Sequence, residues 1–139
     1  MNIVRVALAV PLPRFFDYLY STDLTPIIGG RVLVPFGSQK RVGIVVDLPA
    51  SSDVAKEKLK PIIDVLDTES LFNSTTWDWL AWSANYYHAA LGDVLFQALP
   101  VKLRNGESAV KNDRTFWRIT DRGKQALESG ELKRAKKQI

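Results

Sequence analysis

The chain has 139 residues, 46% of them hydrophobic and 24% charged, which suits one soluble domain or one domain with a small attachment. It contains no cysteine, which excludes a disulfide framework or a thiolate metal site in these residues. The net charge of +4 is unevenly spread: residues 1–60 carry net +3, residues 61–100 have no Lys or Arg and carry −5, and residues 101–139 carry +6, so part of the surface could face a polyanion.

The opening MNIVRVALAVPLPRFF is apolar but short, broken by Arg5 and followed by Pro11 and Pro13, so it reads as a strand and not as a signal peptide. No stretch of about 18 apolar residues is present to span a membrane, and a cytoplasmic location is expected. Alternation continues through Phe16-Asp17-Tyr18-Leu19-Tyr20. Gly29-Gly30 marks a turn before Arg31-Val32-Leu33-Val34-Pro35-Phe36, and Gly37-Ser38-Gln39-Lys40 a second one before Arg41-Val42-Gly43-Ile44-Val45-Val46. Ser51 to Lys58 is polar and reads as a loop. Leu59 to Leu66 is a further strand candidate, with Pro61 arguing for an edge or an irregular start. Several short strands closed by Gly- and Pro-rich turns predict a small antiparallel β-barrel-like sheet.

From about residue 73 the period changes. Asn73-Ser74-Thr75 offers an N-cap, and Trp77, Leu80, Ala81, Ala84 and Tyr87 form an apolar stripe at helical spacing. Gly92 is expected to end or bend this helix, and Asp93 to Leu99 to form a second short one stopped by Pro100. Trp79, Trp82 and Tyr86 lie off the stripe. They could stack bases or meet a partner, but the acidic surroundings would repel phosphate, so packing against neighbouring elements is the expectation. After a polar linker, Thr115 to Ile119 reads as a short strand, Thr120 as the cap of a helix through about Ser129 ended by Gly130, and Glu131 to Ile139 as the basic start of another helix. These last elements cannot make a stable domain alone, which suggests a piece of something larger, the alternative being a basic tail that stays disordered.

Catalytic chemistry is thin. The single histidine, His88, suits packing or hydrogen bonding better than catalysis, no GxxxxGK[ST] loop or GxSxG elbow occurs, and the acids of residues 61–100 have no metal-loop spacing. The residues therefore describe a binding module, with no cofactor of its own. One constellation stands out: Pro11-Leu12-Pro13-Arg14, then Phe15-Phe16-Asp17-Tyr18, and later Pro35-Phe36-Gly37. In a strand, Phe16 and Tyr18 share one face and Asp17 takes the other. On residue chemistry alone, the simplest role for Asp17 is a turn carboxylate capping backbone N–H groups.

VALAVPLPRFFDYLY, with RVLVPFG and RVGIVV after it and then LKPIIDVLD and YYHAALGDVLFQALP, closely resembles the start of the primosomal protein N′ (PriA) family of replication-restart DNA helicases. The resemblance runs to about residue 105. Beyond it, the strand-and-helix pattern fits the opening of that family's winged-helix domain. The fold class implied is α+β: the small barrel-like sheet, short helices, then a truncated winged-helix start. The implied domains are residues 1–105, binding DNA 3′ ends, and residues 106–139, a linker and partial winged helix.

The resemblance also implies a function: holding the 3′-terminal nucleotide of the nascent leading strand at stalled forks and D-loops, with little base specificity. Asp17 would accept a hydrogen bond from the free 3′-hydroxyl, Phe16 would support the nucleotide, Gly37 would let backbone approach it, and Lys60 would offer a cation. The family has a Lys before a small residue here, where this chain has Pro61. Arg14 and Arg31 are secondary candidates for phosphate, although ordinary surface charge explains both. The implied partners are DNA with a 3′-OH end, forked DNA, the helicase core of the same protein, and primosome and single-strand-binding proteins. The full-length proteins so resembled are ATP-dependent 3′-to-5′ helicases that use ATP, Mg and Zn. The competing reading is a protein-interaction module in which the Trp-rich helix docks onto the helicase core or a primosome partner.

Overall fold

A computed structural model describes residues 2–110 and 116–130. Four strands come from the alternating segments: β1 (Asn2–Leu8), β2 (Phe16–Tyr20), β3 (Arg31–Phe36) and β4 (Gln39–Asp47). A fifth, β5 (Asp64–Val65), is two residues long. They form one antiparallel sheet in the order β2-β1-β4-β3-β5.

The sheet curls until its edges approach. Leu19 on the β2 edge donates to the Lys60 carbonyl at 2.9 Å and accepts from the Ile62 amide at 2.9 Å, in a parallel bridge centred on Pro61. Both bonds use the residues flanking Pro61, so the amide hydrogen that proline lacks is not needed. The whole of Leu59–Leu66 was expected as strand. Only Asp64–Val65 and this bridge pair regularly, while Leu59 and Ile62 bury their side chains.

One face of the sheet gathers Val4, Val6, Leu8, Tyr18, Val32, Val34, Val45 and Ile62. The other contributes Ala7 and Ile44 to a second cluster with Phe72, Leu80, Leu95, Phe96 and Leu99. The period of two along β1 thus divides Val4, Val6 and Leu8 from Ala7. A register shift between Arg5 and Val6 in the β1–β4 pairing marks a bulge.

The second cluster is covered by helices α1 (Ser74–Tyr86), α2 (Leu91–Ala98) and α3 (Val101–Arg104). Asn73 caps α1 by accepting from the Thr76 amide at 2.8 Å. Of the expected stripe, Leu80 and Ala84 are buried, whereas Tyr87 is exposed at the turn into α2. That turn passes through His88 with φ +52°, and His88 is exposed.

Two expectations fail here. Gly92 does not end α1 but lies buried in the first turn of α2, where a Cβ would fall on the Leu8 carbonyl; the residue is small because a helix crosses strand backbone there. The off-stripe rings do not pack under neighbouring elements. Trp79, Trp82 and Tyr86 are 62%, 54% and 62% exposed, and Trp82 stacks on Tyr86 at 5.0 Å.

This compact unit ends at Ala109, and Val110 begins a second. In the second unit, α4 (Asp121–Glu128) is capped by Thr120, which accepts from the Gly123 amide at 3.2 Å, and Gly130 follows it with φ +72°. Phe116–Ile119 carries no strand. Thr115, the rest of the expected strand, and the helix expected over 131–139 lie outside the described residues.

Candidate functional site

The lead-in from β1 to β2 is stiff. The amides of Val10, Leu12 and Arg14 donate to the carbonyls of Leu8, Val10 and Leu12 at 2.9, 2.7 and 2.8 Å, giving three successive three-residue turns centred on Ala9, Pro11 and Pro13. Such turns want φ near −75°, close to what a pyrrolidine ring imposes, and prolines at their centres sacrifice no donor. This segment presents the exposed Arg14 and Phe15 and delivers the chain to Phe16 at the start of β2.

On β2, Asp17 stands directly across from Arg5 of β1. The guanidinium meets the carboxylate side-on, Nε to Oδ1 at 2.8 Å and Nη2 to Oδ2 at 3.0 Å, and the Ser52 hydroxyl donates to Oδ2 at 2.6 Å. Asp17 is therefore neither a turn cap nor a bare anion. The hydrogen bond from Arg5, against some desolvation and helped by that from Ser52, holds its carboxyl below the ordinary aspartate value. The Asp17 side chain is only 8% exposed, yet it lines an open cavity.

Aromatic rings and cations form the rest of that cavity. Phe16 meets Phe36 edge-to-face at 5.2 Å. The Arg14 guanidinium lies 5.1 Å from the Phe16 ring centre, and that of Arg41 lies 5.7 Å from the Phe36 ring. Tyr18 donates its hydroxyl to the Pro35 carbonyl at 3.2 Å, and burial raises its pKa. The cavity encloses about 560 Å³, and its lining includes Arg5, Arg14, Phe16, Asp17, Phe36, Gly37, Lys58 and Lys60. Its charged lining is four bases against Asp17 and Asp53, a surplus of positive charge at a cleft with apolar walls.

Phe16, Asp17, Gly37, Lys60 and Arg14 are thus brought together at one cavity. Gly37 sits first in the two-residue β3–β4 hairpin loop with φ +60°, which by itself calls for glycine. A Cβ there would meet nothing within 4 Å among the described residues, which leave room beside it. Arg31 departs from its expectation. It is fully buried, not a surface charge, and grips Asp67 through Nε and Nη2 at 2.7 Å each while Nη1 donates to the carbonyls of Leu103 and Glu107. A guanidinium so engaged is unavailable to phosphate.

A family model described as the 3′ DNA-binding domain (3′BD) of PriA matches residues 5–100. The chain belongs to the PriA family. It is 71% identical to the replication restart protein PriA of Haemophilus influenzae over 138 residues, 99% of this chain and 19% of that protein. With PriA of Buchnera aphidicola from Acyrthosiphon pisum the identity is 39% over 140 residues, 100% of this chain and 19% of the relative. With PriA of Synechocystis it is 40% over 101 residues, 68% and 12%. The chain thus spans about a fifth of the length of the first two PriA relatives. It carries the 3′-end DNA-binding domain of this family.

Arg5, Ser52 and Lys58 were not singled out from the sequence as site residues. Arg5 carried a signal, a cation on β1 at the odd phase shared with Ala7, opposite the Val4–Val6–Leu8 face. Its pairing with Asp17 depends on strand register. Ser52 lies 35 positions from Asp17, in a loop with no local signal.

Proposed function

We propose that the cavity between β2, the β3–β4 hairpin and the 52–60 segment holds the terminal nucleotide of a DNA strand, with Asp17 accepting a hydrogen bond from its free 3′-hydroxyl. The observation that carries this is the acceptor count at Asp17. A carboxylate offers about four lone-pair positions; Arg5 and Ser52 use three, and one on Oδ1 remains in a cavity with cations at its rim. An internal nucleotide has a phosphate in place of that hydroxyl, with no hydrogen to donate and a charge of the wrong sign beside Asp17. Arg5 softens that repulsion, so the missing donor does much of the discriminating.

In this reading Phe16 and Phe36 support the sugar or base by apolar contact, which is tolerant of sequence. Arg14, Lys58 and Lys60 face phosphate, and Gly37 leaves the hairpin tip low enough for the nucleotide to lie beside backbone. Fluorescence anisotropy on oligonucleotides that end in 3′-OH or 3′-phosphate tests it. The 3′-OH strand should bind several-fold tighter, and Asp17→Ala should abolish the difference. Equal affinities for the two ends would remove Asp17 from this role.

For the protein of which such a domain forms part, we propose recognition of the nascent leading strand at stalled forks and D-loops, coupled to ATP-dependent 3′-to-5′ unwinding. The ATP, Mg and Zn sites would lie outside these 139 residues, which contain no cysteine and no phosphate-binding GxxxxGK[ST] loop. The exposed Trp79, Trp82 and Tyr86 favour a second, compatible reading. Solvated rings on a segment without Lys or Arg suit a protein contact better than a nucleic-acid one, and the helicase core, a primosome protein or a single-strand-binding protein is the proposed partner. Trp82→Ala should then leave 3′-end binding intact.

A further inference from the structure

Asp17 is the residue on which end recognition turns, and its surroundings determine how many hydrogen bonds it can accept. Arg5 lies directly opposite it in the β1–β2 register, so the fork is aimed by strand pairing and does not depend on a loop. Its Nε and Nη2 each bind one oxygen, at 2.8 and 3.0 Å, and its Nη1 lies 3.9 Å from the Asp47 carboxylate on β4, which anchors the guanidinium from a third strand. A bidentate guanidinium fixes both the position and the plane of a carboxylate, which an ammonium cannot do.

Ser52 completes the arrangement from the loop side. Its hydroxyl has one hydrogen, and that hydrogen is donated to Oδ2 at 2.6 Å. The Ser52 Oγ in turn accepts from the Val54 amide at 3.1 Å, which holds the serine in place. Among the described residues, Oδ2 is then saturated by Nη2 and Ser52, while Oδ1 keeps one lone pair beyond Nε.

We propose that Arg5 and Ser52 are positioning residues that reduce Asp17 to a single open acceptor on Oδ1, so that the cavity reads one sugar hydroxyl and does not distinguish deoxyribose from ribose at the strand end. This rests on the assignment of Asp17 to the 3′-hydroxyl. A bare carboxylate could accept from both neighbouring hydroxyls of a terminal ribose, one on each oxygen. With Oδ2 filled, the 2′-hydroxyl finds no acceptor on Asp17 and adds nothing. The fork of Arg5 holds the two neighbouring positions, one on each oxygen, that such a pair would need, and the position Ser52 fills on Oδ2 points away from the open one on Oδ1, so removing Arg5, and not the Ser52 hydroxyl, would introduce a preference for ribose.

The test uses the 139-residue chain and short DNA strands that differ only in the last sugar: deoxyribose with 3′-OH, dideoxyribose with 3′-H, and ribose with both hydroxyls. For the unaltered chain, 3′-OH should bind about tenfold tighter than 3′-H, the size expected of one hydrogen bond to a charged group, and terminal ribose should match deoxyribose within about twofold. Arg5→Ala should bind terminal ribose several-fold tighter than deoxyribose, with Arg5→Lys in between because it keeps the charge and loses the fork. Ser52→Ala, which loosens the carboxylate but leaves the fork in place, should lower the 3′-OH to 3′-H ratio and still treat ribose and deoxyribose alike.

If Arg5→Ala and Arg5→Lys both treat ribose and deoxyribose alike, or if Ser52→Ala retains the full 3′-OH to 3′-H ratio, the proposal is overturned while the assignment of Asp17 stands. Should Arg5→Ala unfold, shown by equal loss on every strand, Arg5→Lys and Ser52→Ala decide. No difference between 3′-OH and 3′-H in the unaltered chain would overturn the assignment of Asp17 and this proposal with it.

Discussion

Replacing Arg31 by alanine separates two roles for a cation that a sequence alone leaves mixed. In the structure, three contacts tie it to Asp67: its amide at 2.9 Å, Nε at 2.7 Å and Nη2 at 2.7 Å. Nη1 adds the carbonyls of Leu103 at 2.6 Å and Glu107 at 2.9 Å, so one side chain joins β3, the segment after β5 and the end of α3. Arg31 is fully buried and Asp67 is 6% exposed. Arg31→Ala would strand a buried carboxylate and leave two carbonyls without their donor. Breaking one partner of such a pair costs about 3–5 kcal/mol, a large part of the roughly 5–15 kcal/mol that holds a domain together. The melting temperature should fall by roughly 15 °C or more, since about 1 kcal/mol moves a domain of this size by several degrees.

Thermal unfolding followed by circular dichroism measures this, with DNA affinity at several salt concentrations alongside. Replacing both partners, Arg31→Met with Asp67→Leu, should recover most of the loss, because it removes the stranded charge along with its partner. A surface phosphate contact would behave in the opposite way. Stability would move by about 0.5 kcal/mol or less, and the dependence of affinity on salt would weaken by about one phosphate's worth. If Arg31→Ala melts where the unaltered chain does and loses salt-dependent affinity, the reasoning is refuted and the residue binds DNA after all.

The two glycines most unlike each other in their surroundings should respond differently. Gly92→Ala sets a Cβ against the Leu8 carbonyl and should destabilise by about 1–3 kcal/mol in urea unfolding. Gly37→Ala meets no atom of the described residues and should cost only about 1 kcal/mol for its left-handed φ; any greater loss of 3′-end affinity measures the nucleotide's proximity. For Asp17 the pKa is lowered in the folded chain, so its pairing stabilises above the ordinary aspartate value and is lost as pH falls through the lower, folded one. Affinity for a 3′-OH strand should therefore be level from pH 5 to 8, and a fall between pH 7 and 5 in anisotropy titrations would contradict an ionised, Arg5-held carboxylate.

What could be read directly from residues was local. Alternation located β1 to β4, Asn73 and Thr120 announced their helices, and the aromatic-acidic constellation at Phe16 and Asp17 lies on the cavity. What escaped was set by distant partners. Arg31 alternates out of phase with Val32 and Val34 and so reads as a surface residue, but its face is closed by segments from Asp67 to Glu107. Gly92 looked like a helix stop because nothing near it in sequence names the strand backbone it must clear. The rings of Trp79, Trp82 and Tyr86 were expected to pack because acidic surroundings argue against a phosphate partner; that argument does not say which helix faces lack a neighbour. The partners of Asp17 follow from register and from a loop 35 residues away, so its acceptor count was not legible at all.

The most direct measurement is a crystal structure of this chain with a short oligonucleotide ending in 3′-OH. The terminal oxygen should lie about 2.6–3.0 Å from Oδ1 of Asp17, with Arg5 and Ser52 still in place on the carboxylate. A terminal nucleotide bound elsewhere, or one seated in the cavity with its hydroxyl turned away from Asp17, would contradict the account.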